Sequence, residues 1–244
     1  MAYRTDFDLE FLGHLKSTDL DDLVYCLTHD KDGETRLTEE LTYSDPYKLH
    51  FPNHSKYWEL IAAELQCFGA NSFATMFRGG KGVFYREVLM DVCDKLKVNY
   101  NKDAKTEFIE NNLLLKILHD ALEKMSQEDL KELAKELDIN DLNYSAEALL
   151  GVFQAIFRAG GFKSYQLTLI IANAISRALF GKGLTLAANA TLARTMSLLT
   201  GPVGWVITGA WTLIDIAGPA FRVTLPAVIQ IAVLRKKHSQ DNSI

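Results

Sequence analysis

Residues 165–183 read YQLTLIIANAISRALFGKG, and the fold class turns on this stretch. At helical spacing its apolar side chains are not confined to one stripe: Leu167, Leu169, Ile170, Ile171, Ala174, Ile175 and Leu179 run round the whole circumference. A helix that is apolar on every side has to be buried, in a protein core or in lipid. Gly181-Lys182-Gly183 then gives a stop-and-restart signal.

Working toward the C-terminus, the same pattern predicts helices over 165–180, 184–199, 203–217 and 221–236, with Gly201-Pro202 and Gly218-Pro219 as further punctuation. Residues 195–214, between Arg194 and Asp215, carry no charge at all. A helix of that length would span roughly 30 Å, the thickness of a bilayer core. Gly201, Pro202 and Gly204 interrupt the run, so it reads as a hydrophobic hairpin around 195–217, each arm too short to cross a bilayer unaided. Trp205 and Trp211 suit an interface, and Arg235, Lys236 and Lys237 close the apolar run as a basic flank would. Two readings stay open: a membrane- or partner-contacting module using these residues, or a buried helix pair wrapped by the rest of the chain.

Toward the N-terminus the helices become amphipathic. The spacing predicts a helix over 18–27 capped by Thr18 with Asp21, a second from Ser55 to Phe68 ending at Gly69, and a short one over 72–78. Further helices are expected over 83–97 (Phe84, Val88, Leu89, Val92 and Leu96 inward) and 106–125 (Phe108, Ile109, Leu113 and Ile117 inward). Ser126 with Asp129 makes a capping box for 127–137, and the helix over 145–159 breaks at Gly160-Gly161. No segment alternates with period two, so the expected class is all-α.

The net charge of −5 conceals a division. Residues 1–145 hold 28 acidic and 17 basic side chains, whereas residues 146–244 hold three acidic and nine basic ones. Two regions are therefore expected: an acidic helical layer over 1–145, partner-binding or regulatory, and a basic, strongly apolar module over 146–244. The basic residues lie far apart on apolar helices and the chain is acidic, so nucleic acid is not indicated as a partner. Cys26, Cys67 and Cys93 are odd in number and form no CxxC pair, which points to a reducing compartment. Asp6, Asp8 and Glu10 stand where a signal peptide would carry cations, so the expected location is cytoplasmic, peripheral to the inner membrane at most.

Few motifs carry chemistry. Arg78-Gly79-Gly80-Lys81-Gly82 before a helix can gather N–H groups and two cations around an anion, but it lacks the phosphate-loop spacing. Asp30, Asp32, Gly33 and Glu39 partly fit a calcium loop, spoiled by Thr28 and Arg36 at ligand positions. His50 and His54 have metal-pair spacing with Pro52 between them, which argues against a helix there. No catalytic residues, metal or cofactor are assigned, and the balance leans away from an enzyme.

The segment Trp58-Glu59-Leu60-Ile61-Ala62-Ala63-Glu64-Leu65-Gln66-Cys67-Phe68-Gly69, then Arg78-Gly79, Leu89-Met90-Asp91-Val92, Gly201-Pro202-Val203-Gly204 and residues 222–232, resembles the YaaW-like group of bacterial proteins. That group is placed remotely with the ubiquinol-cytochrome c chaperones, helical assembly factors for a membrane respiratory complex. The resemblance implies a helper role near a membrane with a protein partner. The chain departs from it at Ala70, and residues 165–217 look less family-like than their flanks. The expected function is a non-enzymatic interaction or chaperone-like protein at the cytoplasmic face of the inner membrane. The alternatives are a pore-forming protein inserting the 195–217 hairpin, and an enzyme acting on an anionic substrate at Arg78–Gly82. The residues leave the oligomeric state open.

Overall fold

A computed structural model describes residues 1–69, 82–136, 144–185 and 220–242. Among them there are nine α-helices and no strands, so the all-α class holds. In chain order they are α1 (Asp21–Thr28), α2 (Asp45–His50), α3 (Trp58–Phe68), α4 (Tyr85–Lys95), α5 (Thr106–Leu122), α6 (Gln127–Glu136), α7 (Ala146–Ala159), α8 (Gly161–Phe180) and α9 (Phe221–Asp241). Short 3-10 turns at Glu10–His14, Ser17–Asp19 and His54–Tyr57 join the N-terminal elements.

The last helix is the axis of the molecule. From Val223 to Leu234 every side chain of α9 is buried, and the helix packs most extensively on α8 and also on α1, α3, α4 and α5. α8 and α9 thus form a buried helix pair with amphipathic helices laid over it, whereas the pair expected around 195–217 lies outside the described residues. Pro226 lies inside α9 and removes one backbone donor there. Flanking carbonyls receive side-chain bonds, from the Cys26 thiol to Val223 O (3.8 Å) and from the Tyr85 hydroxyl to Val228 O (3.4 Å). Among the described residues no helix is long and apolar enough to cross a membrane. The 203–217 helix and the 195–217 hairpin expected from sequence fall outside the described residues, as do the 72–78 helix and all of the 184–199 helix but Leu184 and Thr185, which are not helical.

Local signals succeed where no tertiary demand competes. Ser126 and Asp129 form the expected box, the Asp129 N–H donating to Ser126 Oγ (3.2 Å) and the Ser126 N–H to Asp129 Oδ2 (3.1 Å). The Ser145 hydroxyl caps α7 at Ala148 N–H, and Gly181 ends α8 in the left-handed region (φ +68°). Two predicted caps are not made. Asp21 is within 3.2 Å of His54 Nε2 in place of boxing Thr18, so α1 starts at Asp21 without a side-chain cap. Ser55 lies in a 3-10 turn, its N–H donating to Ser17 Oγ (3.1 Å), and α3 starts three residues later.

Two inward assignments are corrected as well. Phe84 precedes α4 and lies on the surface beneath the Arg4 guanidinium, 3.4 Å from the ring centre, while Tyr85 is the residue that turns into the core. Phe108 is exposed because the buried face of α5 is set by Ile109, Leu113 and Ile117, and by Glu110 with Leu114 beside them.

Gly69 and Gly82 are required by close approach. A Cβ on Gly69 would stand 2.3 Å from Val88 Cγ2, and one on Gly82 would stand 2.2 Å from the backbone carbonyl of Gln66. The Val83 N–H donates to that same carbonyl (3.1 Å).

Candidate functional site

Three places concentrate chemistry, and the first is a buried polar knot at the C-terminal end of α9. Glu110 of α5 is fully buried and accepts from Arg235 Nε at 3.1 Å on both oxygens and from the Tyr85 hydroxyl at 2.7 Å. Arg235 also donates to Asp8 O (2.9 Å), and Asp8 Oδ2 accepts from the Thr106 hydroxyl (2.8 Å). Burial pushes the Glu110 carboxyl above the ordinary carboxylate range against the pull of Arg235, while that carboxylate keeps the guanidinium charged despite its own burial. Removing one member of such a pair costs about 3–5 kcal/mol, so the knot fixes where α9 sits. Alongside it, Lys237 pairs with Asp19 (2.9 Å).

The second place is a half-open cleft between α5, α8 and α9 of about 350 Å³, lined by Glu107, Gly160, Gly161, Phe162, Ser164, Lys236, Ser239 and Gln240. Lys236 Nζ donates to Asn111 Oδ1 (2.7 Å) and burial lowers its pKa. The third is the exposed segment 37–51, which presents Leu37, Tyr43, Leu49 and Phe51 to solvent. It is not floppy: the Ser44 side chain caps α2, and the Tyr47 ring meets those of Phe51 (5.2 Å) and Tyr57 (5.5 Å).

Of the residues singled out by sequence, Arg78, Gly79, Gly80 and Lys81 lie outside the described residues, as do Gly201, Pro202, Gly204, Trp205 and Trp211. Gly82 is buried against the Gln66 backbone. Arg235, Lys236 and Lys237 come together at one end of α9 and are engaged by Glu110, Asn111 and Asp19 of the N-terminal half. The partial calcium loop closes on itself: Asp30 Oδ1 accepts from the N–H groups of Asp32 (2.9 Å) and Glu34 (3.0 Å), and Glu39 turns to Thr42. His54 is a core residue held by Tyr57 and Asp21. His119, Asp120 and Glu123 do approach one another closely enough to share a cation, but Lys116 Nζ already sits 2.5 and 2.6 Å from the Asp120 oxygens.

Residues that sequence reading passed over are Glu110, Ser164, Gln240 and Glu64. Glu110 had a signal, because a carboxylate interrupts the apolar face of α5. Glu64 is buried on α3, its oxygens accepting from Glu40 N–H at 3.2 Å each, and burial with Glu39 and Glu40 nearby pushes its carboxyl up to about 7.

Residues 53–228 match the family model described as ubiquinol-cytochrome C chaperone, and residues 3–37 match a domain of unknown function. A UPF0174 protein of Helicobacter pylori strain J99 is 55% identical over 243 residues, covering 99% of this chain and 96% of that one. The chain belongs to the UPF0174 family. A second UPF0174 protein, from Helicobacter pylori strain 26695, is 44% identical over 206 residues, or 82% of this chain and 98% of the relative. The UPF0174 protein YaaW of Escherichia coli K12 is 35% identical over 239 residues, 96% of this chain and 95% of its own. These matches agree with the resemblance read from the Trp58–Gly69 segment. No solved structure matches the chain significantly.

Proposed function

We propose that this UPF0174 protein is a non-enzymatic, chaperone-like factor that holds a protein partner at the cytoplasmic face of the inner membrane. Residues 1–145 act as the partner-binding layer and residues 146–244 as the apolar module that anchors it. The family match over 53–228 supports the chaperone role, and the uncharged run 195–214 supports a place beside a membrane.

The observation that carries the reading is the segment 37–51. Leu37 is 98% exposed and Leu49 76%, on a stretch braced by the Ser44 cap and the Tyr47–Phe51–Tyr57 ring contacts. Apolar surface held in water costs about 25 cal/mol per Å², which a partner's apolar face recovers on covering it. Pre-ordering keeps the entropy cost of that docking low.

The test is suppression of aggregation, followed by light scattering, with the full chain and a heat-labile reporter. Full-length protein is expected to suppress scattering, and Leu49→Asp/Phe51→Asp to lose most of that protection. The variant's melting temperature should be unchanged, since exposed substitutions of this kind move stability by roughly 0.5 kcal/mol or less. Equal protection by both, or none by either, rejects the reading. Flotation with vesicles of inner-membrane lipid composition tests the location, which fails if the protein stays in the unbound fraction.

A further inference from the structure

One end of the helical bundle carries phenylalanines that the core does not use. α4, α5 and α8 begin at this end and α9 finishes there. Arg86 of α4 donates to the Thr106 hydroxyl of α5 (3.0 Å), Glu110 of α5 pairs with Arg235 of α9, and Glu107 and Phe162 line one cleft with Gln240. The N-terminal segment is pinned to the same end by the two residues that flank Phe7. Asp6 Oδ2 accepts from the Tyr85 N–H (2.7 Å), and Asp8 Oδ2 accepts from the Thr106 hydroxyl (2.8 Å). Both neighbours of Phe7 are thereby turned inward, and its own ring is left 88% exposed. Phe108, in the first turn of α5, is 53% exposed, and Phe162, in the first turn of α8, is 52% exposed.

Holding apolar surface in water costs about 25 cal/mol per Å², and rings gathered at one end of a molecule mark a contact surface. These three project singly from three separate elements. A protein partner would need a matching socket for each, whereas the boundary between lipid headgroups and acyl chains has no fixed shape to match. The charges around the rings favour the same partner. Lys102, Lys105, Arg158 and Lys163 flank them, all exposed and, among the described residues, without an ion pair. The carboxylates beside them are Asp103 and Glu107, and Glu87, which lies 3.8 Å from Arg4. An excess of cations at one end of a chain of net charge −5 complements an anionic membrane surface.

We propose that this end of the bundle docks on an anionic lipid bilayer, with Phe7, Phe108 and Phe162 entering the headgroup–acyl boundary and Lys102, Lys105, Arg158 and Lys163 among the headgroups. The inference rests on the membrane location proposed above and names the surface that makes the contact. Phe7 and Phe108 belong to the acidic half and Phe162 to the apolar half, so the surface exists only once the two have folded together.

Full-length protein is floated with vesicles of phosphatidylglycerol in a phosphatidylcholine background, and in parallel with phosphatidylcholine alone. The parent is expected to float with the first and far less with the second, and added salt should release it. Phe7→Ser/Phe108→Ser/Phe162→Ser should weaken binding about a hundredfold. Lys105→Glu/Lys163→Glu should weaken it about tenfold or more on the anionic vesicles. All five positions are exposed, so both variants should keep the parent's melting temperature. Loss of flotation in both folded variants supports the assignment. A triple variant that floats as well as the parent overturns this surface and leaves the membrane location standing. A parent that floats with neither vesicle overturns both. Protection in the aggregation assay depends on residues 37–51 and should be unchanged in the triple variant, so the chaperone reading and this one can fail separately.

Discussion

At the scale of single residues, burial decides what a charge can do. Glu64 has an ordinary carboxyl value of 4.5 in the unfolded chain and about 7 in the folded protein, so the folded state holds its proton more tightly. The stabilisation from that protonated form is fully present below 4.5 and is lost as pH rises through 7. A shift of this size corresponds to about 3 kcal/mol. Urea denaturation of the parent and of Glu64→Gln at several pH values should show the variant gaining by up to about that amount between pH 4.5 and 8. Parallel curves for the two proteins would remove Glu64 as the cause. Cys26 follows the same logic: complete burial pushes its thiol up to about 12, which makes it packing material rather than a nucleophile.

At the scale of elements, the same substitution reverses sign with its surroundings. Gly82 lies in the approach to α4, where a Cβ would stand 2.2 Å from the Gln66 carbonyl, and backbone cannot swing aside as a side chain can. Gly82→Ala is expected to cost about 3 kcal/mol. Gly151 is exposed on α7 with nothing within 4 Å of its would-be Cβ, so Gly151→Ala should stabilise by about 1 kcal/mol through helix propensity. Chemical denaturation of both variants checks the pair, and a Gly82→Ala protein as stable as the parent would contradict the close approach. The Thr18 and Ser55 caps illustrate the same competition. Both had the right local chemistry, but Asp21 and Ser55 found partners elsewhere in the fold, His54 and Ser17, which sequence spacing does not reveal.

At the scale of the molecule, the charge division becomes complementarity. The basic end of α9 engages the acidic N-terminal half through Arg235 with Glu110 and Lys237 with Asp19, and the buried faces of α9 are covered by α1, α3, α4 and α5. A fragment of residues 146–244 should therefore aggregate or form large oligomers by size-exclusion chromatography, and co-expression with residues 1–145 should return it to a discrete complex. A monodisperse, helical fragment on its own would show that α9 does not depend on the N-terminal helices. Because the family match runs across the boundary between these halves, from 53 to 228, both belong to one shared design.

The sequence alone determined the all-α class, because helix periodicity, caps such as Ser126 and Ser145, and glycine stops such as Gly181 are properties of neighbours along the chain. It also marked α8 and α9 as helices that need cover, since an apolar circumference is visible in the order of residues. What covers them, and where Arg235 and Lys236 point, only the tertiary structure decided. The Glu110–Arg235 and Asn111–Lys236 contacts join residues far apart in the chain, and no local spacing records a contact made across a core.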